Sequence, residues 1–296
     1  MVFEAIRAAG HRVARKVRDY GTLVMFSHTV FSLSFAVIAM LLAAGGLPSF
    51  SKIVWILLAF LCARTGANAL NRVIDAEIDG RNPRTATRQI PQKKMGKTEA
   101  LVFSCVCFAG MAVSAAMINT LCLVLSPAAL FLMVVYSYTK RFTWLCHLIL
   151  GVTTACAPVG AWLAVMGSLS WTPLIMGAAN TLWVAGFDII YGSQDYDFDR
   201  ANGLHSIPVR FGVKRALQIA AAFHVLAALL LASLPLFEPR LGWIYLTGIG
   251  IVAALFVAEH SIVSPERLGN VKIASYSINQ VVSIVFFAAG VLDAVI

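Results

Sequence analysis

The sequence predicts an all-α membrane protein with nine transmembrane helices in one bundle. Its 296 residues are 59% hydrophobic and only 12% charged, whereas a soluble domain carries about a quarter charged residues. The apolar residues fall in runs of about 20, the length of helix that crosses the hydrocarbon core of a bilayer. Period-2 alternation is missing from these runs, which excludes an outer-membrane barrel. We therefore interpret residues 1–296 as a single integral-membrane domain.

Nine apolar spans follow one another along the chain. Backbone amides in hydrocarbon need internal hydrogen-bond partners, so each span is expected to be helical. The spans run over residues 22–46, 51–74, 98–118, 120–138, 144–166, 171–192, 214–235, 242–262 and 273–295. Residues 1–20 are basic and amphipathic, which is typical of a segment that lies at the membrane interface.

Lysine and arginine are distributed unevenly between the two sides of these spans. They are concentrated in the N-terminal segment and in the loops after spans two, four and six, whereas the opposite side carries only Lys52 and Arg240. The positive-inside rule places the N-terminus and those loops in the cytoplasm. The net charge of +9 is thus a topology signal, and no nucleic-acid partner is expected. We expect a bacterial inner membrane in preference to a mitochondrial one.

The acidic residues are concentrated in two short windows. Seven of the 14 fall within residues 71–79 and 188–199, at the cytoplasmic ends of spans two and six. In each window polar side chains recur every four residues, so a helix would place them on one face. These positions are Asn71, Asp75 and Asp79 in the first window and Tyr191, Asp195 and Asp199 in the second. Because like charges one turn apart destabilise a helix, the pattern indicates bound cations, and Asp oxygens suit Mg²⁺.

The two windows superimpose at an offset of 120 residues. Asp75 falls on Asp195 and Asp79 on Asp199, and the flanking asparagines Asn68 and Asn82 also meet polar residues. We interpret this match as a trace of internal duplication, although it covers few positions and chance is the alternative. Two facing stripes would then hold metal ions between them and bind a diphosphate from both sides.

Basic residues follow both windows and the fourth span. Guanidinium groups can form forked hydrogen bonds with phosphate oxygens, so a cationic rim around acidic metal ligands favours an anionic substrate. The candidates for binding a diphosphate are Asn68, Arg84, Arg88, Lys140, Arg141 and Arg210. The alternative is that these arginines and lysines only enforce the topology.

The motifs resemble those of the UbiA family of intramembrane aromatic prenyltransferases. The resemblance is carried by Asn71-x3-Asp75-x3-Asp79 with Arg84 and Arg88, by Asp188-x2-Tyr191-x3-Asp195-x3-Asp199, and by the connecting segment around Lys140 and Arg141. It covers nearly the whole chain and is closest to the 4-hydroxybenzoate polyprenyltransferase-like subgroup. It implies nine helices around a central cavity that opens to lipid. Most members have Asp after the first Asn, where this chain has Arg72.

The resemblance implies that Mg²⁺ and the diphosphate of a polyprenyl diphosphate bind between the two motifs. The implied metal ligands are Asn71, Asp75, Asp79, Asp195 and Asp199. Bound Mg²⁺ would act as a Lewis acid on the leaving group, and an aromatic acceptor would attack the allylic cation. The candidate catalytic residues are Asp188, Tyr191 and Asp195, with Asp188 as the base or the group that activates a phenol.

The aromatic acceptor is assigned to residues deeper in the spans. Arg64, His28 and Tyr136 are the candidates for its contacts. A charge inside a membrane span is by default a functional hypothesis, but Arg64 could instead form a structural ion pair with Asp188. The acceptor is either a 4-hydroxybenzoate-type phenol of quinone biosynthesis or 1,4-dihydroxy-6-naphthoate of menaquinone biosynthesis. A transporter with an acidic cation site is the alternative from another functional class.

Overall fold

The computed structural model describes residues 20–23 and 29–295, and all of the regular structure in them is helical. Thirteen short and long elements after residue 28 position the site. They are α1 (Thr29–Ala44), α2 (Phe50–Ile74), α3 (Ala76–Arg81), α4 (Lys97–Ile118), α5 (Thr120–Val135), α6 (Cys146–Met166), α7 (Trp171–Gly192), α8 (Tyr196–Ala201), α9 (Ile207–Phe211), α10 (Val213–Ser233), α11 (Trp243–Ser261), a π-helix (Ile273–Ile278) and α12 (Asn279–Val295).

The predicted all-helical membrane architecture is confirmed. In the described part of the chain, eight helices are long and apolar enough to cross a membrane, and they coincide with the second to ninth predicted spans. A shorter apolar helix covers Ser32–Ala44, within the first predicted span. The count of nine spans and the side of the N-terminus stay predictions. Residues 1–19 of the predicted interfacial segment lie outside the described residues.

The helices pack as a bundle whose tightest contact joins α6 and α7. A Cβ atom added at Gly151 on α6 would lie 2.3 Å from the carbonyl oxygen of Thr181 on α7, so this crossing requires glycine. Further along, α1 packs on α6, α10 packs on α7, and α2 packs on α4. The core between these helices contains the rings of Phe35, Trp183 and Phe286, with centroids 4.6 and 5.4 Å apart from Phe35.

The two acidic windows do not lie on uninterrupted helices, so that expectation is wrong. The first long helix ends before Asp75, whose φ of −91° and ψ of 4° separate it from α3. The second ends before a 3₁₀ turn, Ser193–Asp195, and Asp195 has nearly the same angles, −94° and 6°. A break at this point ends the one-turn stacking of like charges that a straight helix would impose. Because the break recurs 120 residues later and is followed by a six-residue helix each time, it supports the interpretation of duplication.

A buried polar network fixes the last helices against α7. The Trp183 indole N–H donates to Asn279 Oδ1 at 2.5 Å, and the Asn279 amide donates to Glu259 Oε1 at 2.9 Å. The same amide donates to the carbonyl of Ala274 at 3.1 Å, within the π-helix. This network holds the π-helix in place, and its Tyr276 ring packs edge-on against Tyr191 with centroids 5.0 Å apart.

Candidate active site

Both acidic motifs line one polar cavity of about 280 Å³. Its walls come from the ends of α2 and α7, from the loop after α3 and from the 3₁₀ segment Tyr136–Arg141 after α5. The predicted site residues on its lining are Arg64, Asn68, Asn71, Asp75, Asp79, Arg84, Arg88, Tyr136, Lys140, Arg141, Asp188, Tyr191, Asp195 and Asp199. The structure therefore brings together the two stripes and most of the predicted basic rim.

Arginines pair with the carboxylates of the first motif. Arg88 Nη1 lies 2.6 and 2.7 Å from the two carboxylate oxygens of Asp79. Arg141 Nη2 lies 3.3 Å from Asp75 Oδ1 and also donates to the carbonyl of Ile74 at 2.8 Å. The Asn71 amide donates to Asp75 Oδ2 at 2.9 Å, so this carboxylate is held from both sides.

The second motif is held by Arg84 and Lys140. Arg84 forms a fork with Asp195, with Nε 2.8 Å from Oδ1 and Nη2 2.5 Å from Oδ2. The Arg84 guanidinium also donates to the Tyr191 hydroxyl, and its carbon lies 4.6 Å from the centre of the Tyr191 ring. Lys140 Nζ lies 3.5 Å from Asp199 Oδ2. Asp195 and Asp199 are both buried.

Two groups outside the membrane spans have shifted pKa values. Burial, followed by the charge of Asp79, raises the pKa of Asp75, and the Arg141 guanidinium only partly opposes the shift. Burial alone would lower the pKa of Arg84, but its hydrogen bond with Asp195 and the nearby Tyr191 and Asp195 outweigh burial and raise it. Arg84 is therefore a permanent cation, whereas Asp75 is a carboxylate that gains from a nearby positive charge.

The described residues contain no group of three His, Cys, Asp or Glu side chains close enough to hold a metal ion together. Each of the four predicted carboxylate ligands instead binds an arginine or a lysine. The donor set of aspartate and asparagine oxygens nevertheless fits Mg²⁺, which keeps several waters and takes further oxygens from a phosphate. A divalent site in this cavity therefore needs the diphosphate as a ligand and needs the basic side chains to move onto it.

Some predicted residues lie elsewhere. Arg210 is exposed and is not part of the cavity wall, because the short helix α9 buries Ile207 and Pro208 and leaves Arg210 on its outer side. This position does not support its assignment to the diphosphate. His28 lies outside the described residues.

The alternative ion pair between Arg64 and Asp188 is not found. Asp188 binds His147, with Oδ2 2.7 Å from Nδ1 of the imidazole. Arg64 donates to the Ser32 hydroxyl at 3.3 Å and lines the inner part of the cavity. Tyr136, the other described acceptor candidate, donates to the carbonyl of Ala67 at 3.3 Å.

Sequence reasoning missed three residues of the site. Asn82 donates to Asp195 Oδ1 at 3.0 Å, Tyr276 lines the cavity beside Tyr191, and His147 lies behind Asp188. Asn82 had a signal, since it is the last polar match of the 120-residue offset. Tyr276 and His147 carry no spacing signal, because their positions depend on the packing of distant helices.

A second cavity of about 210 Å³ adjoins the polar one. Its walls are mainly apolar and come from α1, α2, α4, α5 and α6. Both cavities share the side chains of Ser32, Arg64, Asn68 and Tyr136. The arrangement suits a ligand with a charged head and an apolar tail.

Sequence comparisons place these features in a known family. The model of the UbiA prenyltransferase family matches residues 32–291. The chain is 30% identical over 284 residues to a 4-hydroxybenzoate octaprenyltransferase from Citrobacter koseri, covering 94% of this chain and 93% of that protein. It is 31% identical over 258 residues to a 4-hydroxybenzoate octaprenyltransferase from Marinobacter nauticus, covering 86% and 84% of the two chains.

Solved structures share the fold. A UbiA homologue from Aeropyrum pernix K1, in its apo form, is 33% identical, covers 90% of this chain and 98% of its own, and superimposes with a TM-score of 0.82. A UbiA homologue from Archaeoglobus fulgidus bound to GPP and Mg²⁺ has a TM-score of 0.71, with 93% and 99% of the chains covered. At 21% identity the second likeness shows the fold alone.

Proposed function

The chain belongs to the UbiA prenyltransferase family, and on that basis we propose that it transfers a polyprenyl group from a polyprenyl diphosphate to 4-hydroxybenzoate in ubiquinone biosynthesis. The observation that carries this proposal is the polar cavity in which two acidic motifs and four basic side chains meet beside an apolar cavity. The relatives that support the acceptor are named for 4-hydroxybenzoate. The transporter alternative lacks comparable support and is set aside.

The site separates the two ends of the donor. The polyprenyl tail enters the apolar cavity between α2, α4 and α5, and the diphosphate stays among the basic residues. Arg84 and Arg88 can turn their forks from carboxylate to phosphate oxygens, because the two anions present similar acceptors. Lys140 and Arg141 do the same from the other side of the cavity.

When bound, Mg²⁺ neutralises the diphosphate and stabilises it as the leaving group, held by Asp75, Asp79, Asp195 and Asp199 with Asn71. The protein then has to keep water away from the allylic carbon and present the ring to it. The apolar lining of the second cavity serves the first need. For the second, Arg64 lies where both cavities meet and can bind the carboxylate of the acceptor.

The membrane placement follows from the same premise. We place the chain in the cytoplasmic membrane of a bacterium, with nine spans and a cytoplasmic N-terminus, since the positive loops after spans two, four and six carry the diphosphate-binding side chains. Soluble prenyl diphosphates of the cytoplasmic side then have direct access to the polar cavity.

The proposal is tested with purified protein in lipid nanodiscs. With Mg²⁺, labelled polyprenyl diphosphate and 4-hydroxybenzoate, mass spectrometry should detect a ring-prenylated acid and free diphosphate. EDTA should abolish the product, and excess Mg²⁺ should restore it. A parallel reaction contains 1,4-dihydroxy-6-naphthoate. Product from the naphthoate alone would replace the acceptor but keep the reaction class, whereas no product from either phenol would overturn the proposal.

A further inference from the structure

His147 forms a buried pair with the one cavity aspartate that no arginine or lysine holds among the described residues. Its Nδ1 lies 2.7 Å from Asp188 Oδ2, across the crossing of α6 and α7. The imidazole is wholly buried, whereas 24% of the Asp188 side chain is exposed, and Asp188 lines the polar cavity. The carboxylate therefore faces the ligand space, and the imidazole lies behind it.

The packing around the ring is built for an imidazole. A Cβ atom added at Gly192 would lie 3.0 Å from Cε1 of His147, so Gly192 leaves the space that the ring occupies. The second ring nitrogen, Nε2, is buried and finds no hydrogen-bond partner in the described part of the chain. An unsatisfied buried nitrogen is unfavourable by about 1–3 kcal/mol. A residue kept only for packing would avoid that penalty, so the structure indicates that the imidazole acts through its other nitrogen.

The partner of each aspartate decides what that aspartate can do. Asp75, Asp79, Asp195 and Asp199 all bind permanent cations, which weaken a carboxylate as a base. A neutral imidazole, in contrast, donates one N–H and leaves the negative charge on the carboxylate. Asp188 is thus the cavity carboxylate whose environment best fits the removal of a proton.

We propose that His147 is a positioning residue that holds Asp188 as the base for the proton lost by the aromatic ring. This inference rests on the proposed function. Through Nδ1–H, His147 fixes the plane of the carboxylate and directs its exposed side to the acceptor. His147 itself does not touch the substrate.

The step balances without a further reactant. The C–O bond of the prenyl diphosphate breaks, and its electron pair leaves with the diphosphate. A π-electron pair of the acceptor ring forms the new C–C bond. The ring C–H bond at that carbon then breaks, its electrons restore aromaticity, and the proton passes to Asp188. If the base is misplaced, the cationic ring can release the prenyl cation again, and water can capture that cation as the prenyl alcohol.

The product ratio is therefore the informative measurement. In His147→Phe the ring volume stays but the hydrogen bond is lost, and we expect the ratio of prenyl alcohol to prenylated acid to rise about tenfold or more, the size of effect seen when a supporting hydrogen bond is removed. KM for the prenyl diphosphate should stay within about twofold, because the diphosphate site is intact. His147→Gln restores an N–H donor and should bring the ratio most of the way back.

A second measurement identifies the step. With an acceptor deuterated at the reacting ring carbon, the kinetic isotope effect on product formation should be larger in His147→Phe than in the wild type, because loss of the ring proton has become slow. An isotope effect equal to that of the wild type would overturn the assignment of His147 to this step.

The same substitutions at His260 are the matched control. This histidine binds His224 at 3.0 Å on α11 and is not part of the polar cavity wall. His260→Phe should keep the wild-type product ratio and isotope effect. A His147→Phe protein that melts at a lower temperature but keeps the wild-type product ratio would reduce His147 to a packing residue and overturn the inference. If the wild type itself prenylates neither phenol, the proposed function fails, which is a separate result.

Discussion

The two acidic motifs share their backbone and differ in their partners. Asp75 and Asp195 occupy the same position at a helix break, with φ and ψ values that differ by only a few degrees. Yet the Asp75 side chain is 24% exposed and held by a single long contact from Arg141, whereas that of Asp195 is 6% exposed and lies in the fork of Arg84. Duplication thus explains the backbone, and the surrounding loops explain the strength of each pairing.

The basic side chains show how the halves are joined. The loop after α3 sends Arg88 to Asp79 in its own half and Arg84 to Asp195 in the other. The 3₁₀ segment after α5 likewise sends Arg141 to Asp75 and Lys140 to Asp199. Each basic segment therefore supplies one cation to each motif.

This division also explains why Arg210 was misplaced. At the offset of 120 residues, Arg84 and Arg88 correspond to Leu204 and Pro208. The duplication extends to the acids but not to the bases, so a basic residue after the second motif has no site to enter.

The largest difference between the motifs is expected from matched Asp→Asn variants. Asp75→Asn and Asp195→Asn should each lower turnover at least about a hundredfold, because each removes a charged ligand of the metal and diphosphate. Only Asp195→Asn should also lower the melting temperature, by about 5 °C, since it breaks a buried ion pair.

Turnover assays and melting curves of the two purified variants test this difference, with Asp197→Asn as the control on the same segment. Asp197 lies on α8 but is not part of the cavity wall. Equal losses of stability in the two motif variants would contradict the contrast between them, and full activity in either would remove that aspartate from the site.

A smaller effect is expected from exchanging the arginines. Arg84→Lys keeps the charge but cannot form the fork, so KM for the polyprenyl diphosphate should rise about tenfold or more. Arg141→Lys loses one 3.3 Å contact from a half-exposed side chain and should raise the same KM less than about threefold. Steady-state kinetics at saturating acceptor measures both. Similar values for the two variants would show that the fork has no special role.

The smallest effect concerns pH. The pKa of Asp75 is raised in the folded chain, so the unfolded chain releases this proton at lower pH than the folded one. The group therefore contributes its full stability below about pH 4, the unfolded value, and loses it as the pH rises through the folded value. Without Mg²⁺ or substrate, the melting temperature of the wild type should fall more over this pH range than that of Asp75→Asn. Parallel curves would show that Asp75 is not perturbed.

Much of this could be predicted from the sequence because it depends on local pattern. The long helices follow from apolar runs of about 20 residues, and the acids of the site follow from a four-residue period repeated at a fixed offset. The break at Asp75 was missed because spacing alone is satisfied by a straight helix. His147 and Tyr276 were missed because each reaches the site from a helix whose neighbours are remote in sequence.

By itself the sequence determined that the chain is a helical membrane protein and which carboxylates belong to its site, since hydrophobic length and charge spacing are properties of short segments. Only the tertiary structure decided which base holds which acid, that Arg210 stays outside, and that an imidazole lies behind Asp188. Those outcomes depend on distances of a few ångströms between helices separated by 40 to more than 100 residues, and electrostatic pairing falls off too steeply with distance and burial for the order of residues to fix it.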